Sequence, residues 1–333
     1  PGTGSAFSDK ANTVTLNLSQ EVFQGTAEYR ALKYASYLPK IASENLKRLD
    51  LNYLSSFGRL ISNWIRQTRD LNSLNGQLEV VNRLAKNIKE RIRIGRSKKA
   101  DLLNLNAQIS SLRAQIVETK LNLIHLERNV KVATAKETLE IDVGGIEIPK
   151  AKQLNISEHP RIKYYQLLLD AEEQLVGVEK GGYFPSLNLD GNYFLNRTGN
   201  LLESRWNVTL SGTWEFYSGG QTQQSVKQAK LGLMMAKERL LYEKRKISRE
   251  RNELINAQPL NEALLRSARE AIKNANLNFK ELERELGLGL VDEIIVLRAL
   301  EDVLRLERNY HRFQESVFNS KIDLSVNMGG LSL

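Results

Sequence analysis

The amino-acid sequence predicts a mostly α-helical protein with a small β part, built from two internal repeats of strand, glycine turn and long helical hairpin. Three observations predict it. Two segments match at one constant offset, apolar residues recur every three and four positions over long stretches, and a few short stretches alternate apolar with polar side chains.

The repeat sets the frame, because a missed repeat misassigns the whole fold. NTVTLNLSQEVFQGTAEYRALKYA begins at Asn12 and NVTLSGTWEFYSGGQTQQSVKQAK begins at Asn207. Val14 and Val208 lie 194 residues apart. At that offset Glu21 meets Glu215, Phe23 meets Tyr217, Gly25 meets Gly219 and Lys33 meets Lys227. Far downstream, Gly95 in RIRIGR meets Gly289 in LGLGLV in the same register.

Strands follow from a period of two, the mark of a half-buried ribbon. The first is predicted from Thr13 to Phe23, with Val14, Leu16, Leu18 and Val22 on one face. The second is predicted from Arg205 to Tyr217, where Val208, Leu210, Trp214 and Phe216 oppose Thr209, Ser211, Thr213 and Glu215. A third starts at Ser186, where Leu187, Leu189, Tyr193 and Leu195 alternate with Asn188, Asp190, Asn192 and Asn196, and Phe194 interrupts the polar face. Strands of this kind, flanked by Tyr183, Trp206 and Tyr217, fit a barrel that is apolar outside and polar inside.

The helices carry a stricter signal. Tyr53, Phe57, Leu60, Trp64, Leu71, Leu74, Leu78, Val81, Ala85, Ile88 and Ile92 follow alternating spacings of three and four, with Gln67 as a polar member. After Gly95 the spacing returns at Leu102, Leu105, Ile109, Leu112, Ile116, Leu123, Leu126 and Val130, with Thr119 filling one slot. The second repeat has it at Leu265, Ala268, Ile272, Ala275, Phe279, Leu282 and Leu286. A sustained 3.5-residue period means left-handed coiled-coil packing. The span from Gly25 to Gly95, at about 1.5 Å per residue, approaches ~100 Å if helical throughout. Gly95 and Gly289 are expected to reverse the chain into antiparallel hairpins, and Pro39 and Pro259 to kink or break the helices. The heptad lapses from Thr134 to Lys152, where ETLEIDVGGIEIPK is expected to hold a short strand and a turn. His159 and Pro160 then open another helix.

Composition narrows the function classes. The chain of 333 residues has no Cys, which excludes disulfides, a thiolate nucleophile and Cys-ligated metal. His125, His159 and His311 are scattered and read as surface or packing residues, so no catalytic constellation and no metal site emerges. Gly219-Gly220 is followed by no Lys-Ser/Thr and reads as a turn, not a phosphate loop. No run of about 18 apolar residues exists to span a bilayer as a helix. The net charge of +9 is concentrated near Gly95, in Arg83, Lys86, Lys89, Arg91, Arg93, Arg96, Lys98 and Lys99. These bases lack the interleaved aromatics of a single-strand nucleic-acid surface, so no nucleic-acid partner is expected. The alternative to a channel is a soluble basic coiled-coil scaffold, or one that binds membranes; it leaves the alternating strands and the repeat unexplained.

YFPSLNLDGNYF followed by WNVTLSGTWEFYSGGQTQQSVKQAK resembles the second repeat of TolC-like outer membrane efflux proteins. GLGLVDEIIVLRALEDVLRLERNYHRFQESVFNSKIDLSVNMGGL resembles that family's closing helix. The resemblance implies a homotrimer with no enzymatic activity and no cofactor. Its long coiled-coil hairpins would form a trimeric α-barrel tube topped by a shared 12-stranded β-barrel in outer-membrane lipid. It further implies a passive exit duct of the Gram-negative outer membrane, extending into the periplasm. Such a duct works with a periplasmic adaptor protein and an inner-membrane pump, in efflux or type I secretion. Three strands per chain give an odd total, so an N-terminal part of the first repeat is expected to precede Pro1. The organisation expected is a first repeat over 1–133, an equatorial connector over 134–155 and a second repeat over 156–333. The sequon Asn196-Arg197-Thr198 falls in an expected extracellular loop.

The same resemblance assigns candidate sites. The tip turns that contact the adaptor are Ile94-Gly95-Arg96 and Leu288-Gly289-Leu290, where the family often carries Val-Gly-Leu. Asp101 stands at a family gate position, six residues after the first glycine. Ile295 and Arg298 stand where some members carry acids, while Asp292 and Glu293 supply acids nearer the turn. The candidate constriction is therefore Asp101, Asp292, Glu293 and Arg298. Leu187, Leu189, Val208 and Leu210 are expected to face lipid.

Overall fold

The structure, a computed structural model, describes residues 14–136, 155–196 and 204–330. It is mostly helical with one small sheet. The order is β1 (Val14–Gln24), α1 (Ala27–Arg93), α2 (Lys99–Thr134), α3 (Pro160–Gly181), β2 (Ser186–Asn196), β3 (Trp206–Thr213), α4 (Gln221–Leu288) and α5 (Glu293–Asn327), with a 3-10 turn at Ile156–Glu158 before α3. The strand and turn expected in ETLEIDVGGIEIPK, and residues 197 and 198 of the sequon, lie outside the described residues. No described helix is long and apolar enough to cross a membrane. The chain divides into two compact units, Pro1–Leu46 with Pro160–Lys244 and Lys47–His159 with Arg245–Leu333.

The first unit holds the sheet. β2 is central and pairs antiparallel with β1 and β3. β3 ends at Thr213, four residues short of the expected Tyr217, for a reason of register. Thr213 pairs with Ser186, the first residue of β2, and Pro185 before it has no N–H to extend the ladder. A register shift between Glu21 and Phe23 leaves Val22 unpaired as a bulge. β1 then turns into α1 through Gly25 at φ +58°, where an added Cβ would lie 2.5 Å from the Gly181 carbonyl oxygen. On the helices of this unit Glu243 is 1% exposed and held by Arg161 at 2.8 Å and Arg239 at 3.2 Å. Arg239 also lies over the rings of Tyr165 and Tyr242.

The second unit is a packed helical core. Leu74, Val81, Leu84 and Ile88 of α1 meet Leu105, Ile109, Leu112 and Ile116 of α2, Phe279 and Leu286 of α4, and Val296, Ala299, Leu300 and Val303 of α5. Burying each of the larger side chains contributes about 1.5–3 kcal/mol. The α2 seam is the expected one, including buried Thr119. Half of the α1 seam is the expected one: Leu74, Val81 and Ile88 are buried, but Asp70, Gln77 and Leu84 are buried in place of Leu71, Leu78 and Ala85, which pack at the flank with Ile92. Its two polar members are bonded. Asp70 accepts from Arg66 at 3.1 Å and lies 2.8 Å from His311 Nδ1, and Arg66 reaches Glu315 at 2.6 Å. Gln77 Nε2 points at the Leu300 carbonyl, 3.5 Å away.

Of the kinks or breaks expected at Pro39 and Pro259, the breaks are corrected. Pro39 and Pro259 sit inside α1 and α4, which run through them without interruption. Each proline removes one backbone hydrogen bond at a cost of about 3 kcal/mol. In helices of 67 and 68 residues many other intrahelical bonds offset that loss. Pro160 opens α3 as expected, where its missing N–H costs nothing. At the far end of α5, buried Arg251 donates to the Asn327 carbonyl at 2.7 Å and His159 Nε2 lies 3.1 Å from the Val326 carbonyl. A cationic donor such as Arg251 suits a helix C-terminus. Burial pulls the Arg251 guanidinium below its ordinary range.

Candidate channel face and hairpin tips

The first candidate site is the sheet, which has one mostly polar face, interrupted by Phe194, and one mostly apolar face, interrupted by Gln20. The register places Asn17, Asn192 and Asn207 on one rung, Ser19, Asp190 and Thr209 on the next, and Glu21, Asn188 and Ser211 on a third. These side chains bond across the strands: Asn17 Nδ2 donates to Asn192 Oδ1 at 2.6 Å, Asn192 Nδ2 to Asn207 Oδ1 at 3.0 Å, and Ser19 Oγ to Asp190 Oδ1 at 2.7 Å. On the other face Leu16, Tyr193 and Trp206 share a rung, then Leu18, Gly191 and Val208, then Gln20, Leu189 and Leu210. Leu187 follows one rung further, opposite Phe23 and Gly212. Leu189, Val208 and Leu210 are exposed, and Leu187 is half-exposed. Aromatics flank this band. Tyr193 and Trp206 close one end, and exposed Tyr183, Phe184, Trp214, Phe216 and Tyr217 cluster beyond the other. From Leu187 to Tyr193 is six residues, or about 20 Å of strand. That compares with an apolar band of about 25 Å in membrane barrels.

The second site is the pair of turns closing the hairpins. Gly95 has φ +73° and Gly289 φ +77°, a conformation that glycine adopts without Cβ strain. In both turns the glycine N–H bonds three residues back, to Ile92 or Leu286, and the next N–H bonds five back, to Arg91 or Glu285. This is the Schellman pattern, which satisfies the last helical carbonyls. Ile94, Arg96, Leu288 and Leu290 are exposed beside the glycines.

The four candidate gate residues separate into two kinds. Asp101 is the N3 residue of α2, and its Oδ2 accepts from the Lys98 N–H at 3.0 Å and from Ser97 Oγ at 3.2 Å. Glu293 begins α5 and lies 3.3 Å from the same Ser97 hydroxyl. A hydroxyl has one proton, so Ser97 serves one carboxylate at a time. Ser97 thus brings Asp101 and Glu293 together across the two turns. Asp292, the N-cap residue of α5, and Arg298 are exposed.

Sequence reasoning missed Arg91 and Ser97. Arg91 donates to the Leu286 carbonyl at 2.7 Å and lies 3.9 Å from Glu293, so it ties the end of α4 to the start of α5. Together these residues line a cleft of about 270 Å³ with Arg96, Lys98 and Asp292. Within a run of eight bases no spacing distinguishes Arg91, because its acceptor is a backbone carbonyl. Much of that basic run is engaged: Arg83 pairs with Glu283 at 2.8 Å and Arg93 with Glu90 at 3.4 Å. Among the described residues no cluster of three metal-ligating side chains occurs.

A sheet that bonds its polar side chains to one another and exposes its leucines, on a chain of coiled-coil hairpins, defines a membrane-channel component. The model of the outer membrane efflux protein family matches residues 152–330, more than half of the chain. The chain belongs to that family. No curated protein sequence matches it. Among solved structures it is similar to the outer membrane protein VceC of Vibrio cholerae, at 16% identity and a TM-score of 0.83, covering 96% of this chain and 80% of that one. It is also similar to the CmeC outer membrane channel of Campylobacter jejuni, at 19% identity and a TM-score of 0.86, covering 96% and 71%. A third likeness is to the open state of the MtrE outer membrane channel of Neisseria gonorrhoeae, at 13% identity and a TM-score of 0.79, covering 96% and 80%. These likenesses carry the fold. Family membership carries the function: the chain is an efflux-channel component of the Gram-negative outer membrane, extending into the periplasm, and not an enzyme. Channels of this family form trimers and work with periplasmic adaptor proteins and inner-membrane pumps. Membership sets aside the soluble scaffold.

Proposed function

We propose that this chain is the exit duct of a tripartite export machine, a homotrimer whose three sheets close one shared twelve-stranded barrel. Each copy gives four strands, β1–β3 among them. The observation that carries this reading is the inverted sheet. An open edge in lipid leaves backbone groups unpaired at several kcal/mol each, and closure with neighbouring copies satisfies them. Leu187, Leu189, Val208 and Leu210 then face lipid, and the asparagine rungs line water.

We further read the chain as two repeats, over 1–133 and 156–333, joined by a connector at the equator. The order strand, long helix, glycine turn, second helix occurs in each, from β1 to α2 and from β3 to α5, which supports that division. Three copies would pack their hairpins into a helical tube. The turns Ile94-Gly95-Arg96 and Leu288-Gly289-Leu290 would lie at its periplasmic end, where the adaptor docks. Exposed Asp292 and Arg298 would face the axis or the adaptor. Asp101 and Glu293 would hold the turns in shape, and the tip would open when these ties loosen.

The test is oligomeric state. Light scattering with detergent subtraction on the full-length protein should return a detergent-extracted trimer; a monomer or a water-soluble dimer overturns the reading.

A further inference from the structure

We propose that a bare apolar stripe on α2 is covered by α4 of a second copy of this chain, and that this seam between copies is apolar where the matching seam within each chain is ionic. The proposal rests on the trimer reading above and adds the surface, its chemistry and its register.

The repeat carries it. Shifted by 194 residues, α1 spans 221–287 and α2 spans 293–328, against Gln221–Leu288 for α4 and Glu293–Asn327 for α5. The two hairpins are the same element twice, closed by glycine turns with one bonding pattern. Within the chain the first hairpin meets the second along α1 and α5. Ser62 Oγ donates to Asn319 Oδ1 at 2.8 Å, Arg66 reaches Glu315 at 2.6 Å and Asp70 lies 2.8 Å from His311. Three chains in a closed ring supply six hairpins, and head-to-tail contact repeats around it. The α4 side of one copy's second hairpin then meets the α2 side of the next copy's first hairpin. The same shift turns each pair within the chain into a pair between copies: Asn256 with the next copy's His125, Leu260 with its Leu121, and Leu264 with its Val117.

Exposure in the single chain agrees. Val117, Leu121, Leu260 and Leu264 are all exposed, while their counterparts Asp70, Arg66, His311 and Glu315 are buried or half-buried. On α2, Ala107, Ser110, Ala114, Val117, Leu121 and Ile124 alternate spacings of three and four, and every one is exposed. This is a second heptad stripe, displaced from the Leu105, Ile109, Leu112 and Ile116 stripe that packs in the core. A sustained 3.5-residue period fits a helix partner. One turn further along α4, Ser267 and Ala271 come opposite Ala114 and Ser110, so small residues meet small residues. The two chemistries also fix the order of hairpins around the ring. Two first hairpins side by side would set Arg66 against Leu121 and Asp70 against Val117; two second hairpins would set Leu260 against Glu315. Each wrong pairing strands a charge in a covered seam.

The 333 residues contain no Cys, so introduced pairs read the contact directly. In the full-length protein, Leu121→Cys with Leu260→Cys, and separately Val117→Cys with Leu264→Cys, are oxidised and run on a non-reducing denaturing gel. Either pair should give disulfide-linked dimers and trimers, since a bond forms where Cα atoms lie within about 7 Å, and each single variant should stay monomeric. Leu121→Glu and Leu260→Arg give a second measurement, because together they copy the pair that Glu315 and Arg66 make within the chain. Each alone should lower the temperature at which the trimer dissociates, and the double variant should recover most of that loss. A trimeric parent whose two cysteine pairs both give no linked species, and whose double charge variant shows no recovery, overturns this proposal and leaves the duct intact. A parent that is monomeric in detergent overturns the trimer reading, and this proposal with it.

Discussion

The sheet and the helical core sort their side chains in opposite directions. In the core, Leu74, Leu112 and Val296 are 0% exposed. In the sheet, Leu16, Leu18 and Leu210 are 65%, 73% and 63% exposed, while the asparagines opposite them bond to one another. The hydrophobic effect acts on both regions, and it does not leave a band of leucines against water on one while packing Leu74, Leu105 and Leu112 away from water on the other. What differs is the solvent. On the proposed barrel reading the leucine face meets lipid, so the sheet is inside out relative to the core. Exposure in a single chain is not the same as exposure to water.

The largest expected effect breaks the comparison on the core side. Leu112→Ala removes a fully buried side chain where α1, α2, α4 and α5 meet. It should cost about 2–5 kcal/mol, because the transfer loss adds to a cavity that neighbours fill only in part. Thermal unfolding of the detergent-solubilised protein measures it. A variant that melts with the parent would mean that this core is not packed as described.

The next effect breaks the comparison on the sheet side. Leu210 is as exposed as a surface lysine, and in water Leu210→Arg would be harmless. If the leucine face meets lipid near the midplane, it should cost about 2–4 kcal/mol. Thr209→Arg, one residue away on the other face, should still fold and insert. Heat-modified mobility and urea titration in bilayers read both; equal tolerance at the two positions sinks the assignment.

How much of this was legible in the sequence depends on the kind of interaction. Alternation and heptads are periodic, so β1, β2, the α2 seam and both glycine turns were readable to within a residue or two. What escaped lacks a period. Asp70 and Gln77 occupy seam positions that a search for apolar residues skips, and this moved half of the expected α1 stripe, Leu71, Leu78 and Ala85, one residue over. The end of β3 is set by its partner strand, through Pro185, and not by Trp214–Tyr217 themselves. Pro39 and Pro259 look like breaks because local propensity says so, yet long helices carry them. At the tips the candidate acids were visible, but Arg91 and Ser97 were not. Their bonds reach a backbone carbonyl and a carboxylate from the opposite turn, 195 and 196 residues away.

The smallest effect sharpens the comparison inside the helical unit. An added Cβ meets nothing within 4 Å at either Gly76 or Gly289. The two glycines nevertheless predict opposite signs. Gly289 sits at φ +77°, where a side chain crowds the following carbonyl, so Gly289→Ala should destabilise by about 1–2 kcal/mol. Gly76 is interior to α1, where alanine is the better helix former, so Gly76→Ala should stabilise by about 0.5–1 kcal/mol. The lesson of the sheet applies here too, since the space beside Gly76 is open only in the isolated chain. A gain in melting temperature would mean that water fills that space in the assembled protein. A loss would mean that a neighbouring chain packs against α1 at Gly76, and that this stretch of helix, like the leucine face of the sheet, is covered in the native assembly.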